Sequence, residues 1–134
     1  MNKQITLVVI ATRSIPLADG LEALLKAIPQ IEKVEMTSTI EQAVQRVDEI
    51  KPKLLLLDLS LAGKTPEAFL EKILVISPKT LRVLLVDDMQ DTKWQPQFAD
   101  AILVKGVSPS SFVTVLTELL LSKGNENESI QLQG

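Results

Sequence analysis

Hydrophobic and polar positions along this chain follow two rhythms. Short, nearly continuous apolar runs alternate with longer stretches in which apolar residues recur every three or four positions. The run "ITLVVIA" (5–11) reads as a buried strand. In "PLADGLEALLKAI" (16–28), Leu17, Leu21, Leu24, Leu25 and Ile28 fall on one stripe of a helix. "VEMTS" (34–38) predicts a second strand. "TIEQAVQRVDEI" (39–50) predicts a helix capped by Thr39, with Ala43, Val47 and Ile50 turned inward. "KLLLLD" is a third strand. Pro66 then opens a helix through "EAFLEKILVI", in the first turn where its missing N–H costs little. "LRVLLV" (81–86) and "DAILV" (100–104) are the fourth and fifth strands, and a last helix starts near Ser108–Pro109 and runs to about Leu121.

Five apolar strands separated by helical stretches predict an α/β fold: a doubly wound, mostly parallel five-stranded sheet between two layers of helices. One segment breaks the rhythm. "DDMQDTKWQPQFA" (87–99) stands where a full helix is due, yet it carries Pro96 and no helical apolar stripe. The fourth helix is therefore expected to be short or irregular. Residues 1–121 read as one domain, and the polar stretch 122–134, "SKGNENESIQLQG", as a flexible tail or the start of a linker.

Composition narrows the chemistry mainly by what is missing. With no cysteine there is no disulfide, thiol nucleophile or zinc–thiolate site. With no histidine there is no imidazole base, serine triad or common transition-metal ligand. Tyrosine is absent too. The formal net charge is −3 and the basic residues are scattered, which argues against a nucleic-acid surface in this domain. No apolar run nears the roughly 18 residues of a membrane span. The N-terminal run has strand chemistry and meets Arg13 and Pro16 too early for a secretory signal. A cytoplasmic protein is expected.

The stretch "KLLLLDLSLAGK" (53–64) poses the functional question. Four leucines run into one carboxylate, Asp58, at the carboxyl end of a strand buried on both faces. Buried acids need partners, and in doubly wound folds the site lies outside the carboxyl ends of the strands.

Three stretches resemble a known family. "GLEALLKAIPQIEKV", "KPKLLLLDLSLAGK" and "ADAILVKGVSPSSFVTVL" are similar to segments of the receiver domain of bacterial two-component response regulators, particularly the NarL/LuxR type. The resemblance spans about residues 4–121 and implies a CheY-like, flavodoxin-like fold. It places Asp58 at the phosphoacceptor position and Lys105 at the lysine that pairs with it, with Ala62 where a proline is usual. The same resemblance marks departures. Thr12 and Arg13 stand at the two acidic positions that hold Mg²⁺ in a working receiver. Val86 or Asp87 stands where the fourth strand ends in Thr or Ser, and Ile102 replaces the aromatic of the fifth strand. "RVLLVDD" looks like the start of a second receiver, but too little chain follows Asp88 to complete one.

The resemblance thus implies a degenerate receiver that works in signalling or transcriptional regulation without Mg²⁺-dependent phosphorylation, and that is not an enzyme. The pocket residues are Thr12, Arg13, Asp87 and Lys105 around Asp58, with Arg13 expected to replace the metal's charge by pairing with Asp58. No cofactor is expected, and Mg²⁺ binding is expected to be lost. Partners are proteins such as a histidine kinase or an output domain, with neither nucleic acid nor membrane. Trp94 is a candidate anchor. The apolar excess of the last helix, including Phe112, Leu116, Leu119 and Leu120, is a candidate homodimer face. Two alternatives stay open. One is a receiver still phosphorylated on Asp58 through an improvised metal site that uses Asp87 or Asp88. The other is a small flavodoxin-like enzyme or nucleotide binder, against which the glycine-free loop after the first strand argues.

Overall fold

In a computed structural model, the structure describes residues 6–63, 66–88 and 99–122. Five strands form one parallel sheet in the order β2-β1-β3-β4-β5, with β1 (Thr6–Ala11), β2 (Ile31–Thr37), β3 (Leu54–Asp58), β4 (Leu81–Val86) and β5 (Ala101–Val104). The helices are α1 (Ile15–Leu25), α2 (Ile40–Ile50), α3 (Leu59–Ala62), α4 (Pro66–Ile76) and α5 (Pro109–Ser122). This is the predicted three-layer architecture. Among the described residues no helix is long and apolar enough to cross a membrane.

Strand alternation sorts the leucines of β3 between two cores. Leu54 and Leu56 join Val8, Ile10, Leu21, Leu25, Phe112 and Leu116 on the face covered by α1 and α5. Leu55 and Leu57 join Val9, Ala43, Val47, Phe69 and Ile73 on the face covered by α2 and α4. A central strand buried on both faces needs apolar residues at every position, which is why the sequence shows a run rather than an alternation.

Local signals set the element ends. Thr39 caps α2 by accepting the Gln42 N–H at 3.0 Å, and Ser14 caps α1 by accepting the Leu17 N–H at 3.2 Å. Arg46 of α2 grips Glu35 of β2 with two parallel bonds of 2.8 Å each, tying helix to edge strand. The second strand begins three residues earlier than its predicted start. Glu32 and Lys33 hide it from an apolar pattern because β2 is an edge strand whose charges stay in water.

The structure adds α3, a single turn where the sequence suggests only a glycine-containing loop. Asp58 caps it and Gly63 ends it at φ +70, ψ −132, a backbone conformation that side-chain-bearing residues avoid. The irregular fourth-helix segment falls mostly on residues 89–98, outside the described residues, as do Trp94 and the tail from residue 123.

The last helix corrects one expectation. Phe112, Leu116 and Leu120 are buried in the α1/α5-side core, and Leu119 packs against it. Their helical spacing points them at the sheet rather than at a second copy of the chain. Leu121 is the exposed apolar residue of α5. Accordingly, Leu116→Ala should lower the unfolding free energy by about 2–5 kcal/mol in urea denaturation. Leu121→Ala should change it by less than about 0.5 kcal/mol. Equal small effects would return Leu116 to the surface.

Candidate functional site

The carboxyl ends of β1, β3, β4 and β5 converge on Asp58. Parallel strands in register bring this about: Ala11 pairs with Leu57, Asp58 with Leu85, and Val86 with Val104. The residues that follow β1, β4 and β5, namely Thr12, Asp87 and Lys105, therefore arrive at one level around the acid.

Asp58 is 3% exposed, and both of its oxygens are occupied. Oδ2 accepts a 2.6 Å hydrogen bond from the Thr12 hydroxyl. Oδ1 takes three donors: Lys105 Nζ at 2.7 Å, the Ser60 hydroxyl at 2.8 Å and the Ser60 N–H at 3.0 Å. The Thr12 hydroxyl oxygen in turn accepts the Ser14 N–H at 3.1 Å, which fixes its rotor. Burial alone would push the Asp58 carboxyl up, but the donations from Lys105, Thr12 and Ser60 outweigh it and hold the group below its ordinary range. For Lys105, burial pulls the ammonium down while hydrogen bonds to Asp58 and Asp87 raise it further. The net direction is up. Each charge is tolerated because the other is there.

The structure brings Thr12, Lys105 and Asp87 together with Asp58 and leaves Arg13 apart. Arg13 is exposed, and the donors around Asp58 are Thr12, Ser60 and Lys105. The expectation that a guanidinium replaces a metal's charge beside Asp58 is therefore corrected. An ammonium supplies that charge, and adjacent residues leaving a strand point to different sides, so Thr12 faces Asp58 while Arg13 faces outward. Arg13 instead lines an open cleft of about 260 Å³ between α1 and the end of β2, alongside Ile15, Met36 and Gln42. Asp87 lies 3.1 Å from Lys105 Nζ, with its side chain 73% exposed.

Ser60 escaped the sequence reading. Its signal was present, because an Asp at a strand end followed by a helical turn is a capping residue that accepts the N–H two positions on. Ser60 makes that bond and adds its hydroxyl to the same oxygen.

No family model matches the sequence, and no curated protein matches it. Solved structures do match in fold. A CheY-like response regulator receiver domain protein from Methanospirillum hungatei JF-1 superposes with a TM-score of 0.79 at 18% identity, covering 92% of this chain and 99% of that one. The signal receiver domain of a putative Luxo repressor protein from Vibrio parahaemolyticus gives 0.79 at 21% identity, covering 92% and 96%. A LuxR-family two-component response regulator from Aurantimonas sp. SI85-9A1 gives 0.76 at 15%, covering 89% and 87%. The fold is that of CheY-like receiver domains.

Removing the ammonium tests this geometry. Lys105→Met leaves a buried carboxylate without its cation and should cost about 3–5 kcal/mol at neutral pH. In the wild type, the lowered Asp58 pKa contributes stability above the ordinary carboxylate value that is lost as pH falls through the folded value. The raised Lys105 contribution is complete below the ordinary lysine value and is lost as pH rises through the folded one. Denaturation of both proteins across pH should therefore show the gap between them narrowing from neutral pH toward about 4, as the variant's Asp58 takes up a proton. A gap that stays constant would mean that Lys105 acts only by packing.

Proposed function

We propose that this chain is a receiver-like signalling module that works through protein contacts, without Mg²⁺-dependent phosphorylation of Asp58. The observation that carries this reading is that both oxygens of Asp58 are already engaged by donors from the chain itself. Those oxygens accept four donations, from Thr12, Ser60 and Lys105. A phosphoryl acceptor must present a free oxygen to an incoming phosphorus, and the transfer relies on charge neutralisation by metal and cation together.

The donor set supports the same conclusion about the metal. Mg²⁺ takes near-octahedral oxygen ligands, commonly including one or two carboxylates. Thr12 and Arg13 offer it a hydroxyl and a cation. Asp87, a carboxylate from the neighbouring strand, is engaged with Lys105. Among the described residues there is no group of three or more acidic side chains that could hold a metal. These residues do not fit the ion.

An interaction role needs surface. Ile15 and Met36 are exposed large apolar residues, and both flank the cleft that Arg13 lines. That combination of exposed apolar side chains beside a cation suits a protein partner. Signalling partners of the response-regulator kind are the expected class, given the receiver fold of the structural neighbours. The cytoplasm remains the expected compartment.

Intact-protein mass spectrometry after incubation with Mg²⁺ and acetyl phosphate tests the reading, with Asp58→Asn as control. The expected result is no phosphoryl adduct on folded wild-type protein. A single adduct absent from the control would establish Asp58 as a live phosphoacceptor and overturn it.

A further inference from the structure

The free edge of the sheet carries a charge pattern that is complementary to itself. β2 ends the strand order, so β1 covers one side of it and no strand among the described residues covers the other. Parallel pairing fixes which backbone groups face which way. Thr37 turns toward β1, since its carbonyl accepts the Thr12 N–H at 3.0 Å, and successive residues alternate sides. The amide and carbonyl groups of Lys33 and Glu35 therefore face β1, and those of Val34 and Met36 point away from the sheet. Side chains alternate as well. Lys33 and Glu35 share the face where Glu35 meets Arg46 of α2, and Val34 lies on the opposite face against the α1/α5-side core.

A row of outward N–H and C=O groups is a template for another strand. When a second copy of β2 joins antiparallel about a two-fold axis, the axis must pass through one residue, because like-facing residues oppose one another. Centred on Val34, the pairing sets Lys33 of each copy opposite Glu35 of the other. Centred on Lys33, Glu35 or Glu32, it sets that charge against its own copy. Centred on Met36, it opposes Glu35 to Thr37. Among registers centred on residues 32 to 36, the Val34 register alone brings opposite charges together. Lys33 is available for it, being 62% exposed and 3.6 Å from Glu35 in its own chain. The same register lays the exposed Met36 of one copy opposite Glu32 of the other. There an open groove of about 200 Å³ runs along the edge beside α1, between Lys26 and Val34.

We infer that the free edge of β2 is a self-association surface: a second copy of this chain adds antiparallel, with the two-fold axis at Val34, and joins two five-stranded sheets into one. Charges on an edge ordinarily deter pairing. Here they deter the neighbouring registers and permit one. The inference goes beyond the reading of Asp58 and stands apart from it, since the partners of that acid are Thr12, Ser60 and Lys105.

Sedimentation velocity and amide hydrogen exchange on the whole wild-type chain test it. Between about 0.01 mM and about 1 mM the chain should double its mass. Over the same range the Val34 and Met36 amides should slow by about fivefold or more, and those of Lys33 and Glu35, already bonded to β1, by less than about twofold. Lys33→Glu should weaken association about tenfold or more, as should Glu35→Lys, because each sets like charges opposite one another twice. Mixing the two variants should restore it, each supplying the sign that the other lacks. If Glu35→Lys, which also gives up Arg46, does not fold, the wild-type exchange pattern and Lys33→Glu decide. A chain that stays monomeric throughout, a dimer whose protection falls on other residues, or a Lys33→Glu variant that associates like the wild type would overturn the inference. So would a mixture of folded variants no tighter than either alone. A phosphoryl adduct on Asp58 would overturn the preceding reading and leave this one standing.

Discussion

A carboxylate buried at the end of an all-leucine strand is the constraint on which this site depends. Asp58 closes a strand whose four preceding residues are fully buried, so water cannot solvate it. Either the acid takes a proton or the protein supplies donors. It supplies four donations, and to do so the chain must bring the ends of two further strands, β1 and β5, to the same level. The parallel register of β1, β4 and β5, the rotor of Thr12 and the position of Lys105 all serve that need. Ser60 serves it too, because the turn that Asp58 caps carries the Ser60 N–H and hydroxyl back to the same oxygen.

On the proposed reading, the balance of charge around Asp58 separates a structural role from a chemical one. A metal-assisted phosphoacceptor keeps an oxygen open and lets a divalent cation neutralise what arrives. Here Lys105 already brings a positive charge to the acid from within the chain. The surface beside the pocket differs in character from the pocket itself. It mixes exposed apolar Ile15 and Met36 with cationic Arg13, and Thr12, which also lines it, joins it to Asp58 through the 2.6 Å hydrogen bond.

Much of this was legible in the sequence because it rests on local chemistry. The run Leu54–Leu57 announces a doubly buried strand, Thr39 announces a cap, and the alternation of runs and stripes announces the parallel sheet. The start of β2 was not legible, since an edge strand keeps Glu32 and Lys33 in water and loses its apolar signature. Nor was the direction of α5 relative to its neighbours. Phe112, Leu116 and Leu120 are as apolar as an interface would require, and only the packed sheet shows that they are needed inside. The pairing of Asp58 depends on which of two adjacent residues, Thr12 or Arg13, turns inward. Formal charge favours arginine, but the geometry at the end of β1 turns threonine to the acid, and Lys105 brings the cation from elsewhere in the chain.

The most direct measurement is the ionisation of Asp58 itself, read from the carbon-13 shift of its side-chain carboxyl during a pH titration of the intact chain. A buried carboxylate held by Lys105, Thr12 and Ser60 should titrate below the ordinary aspartate value, so that it is fully charged throughout the neutral range. A midpoint at or above the ordinary value would mean that burial outweighs those donors. The pocket would then hold a neutral acid, and the account of Asp58 as a charge already neutralised from within the chain would fail.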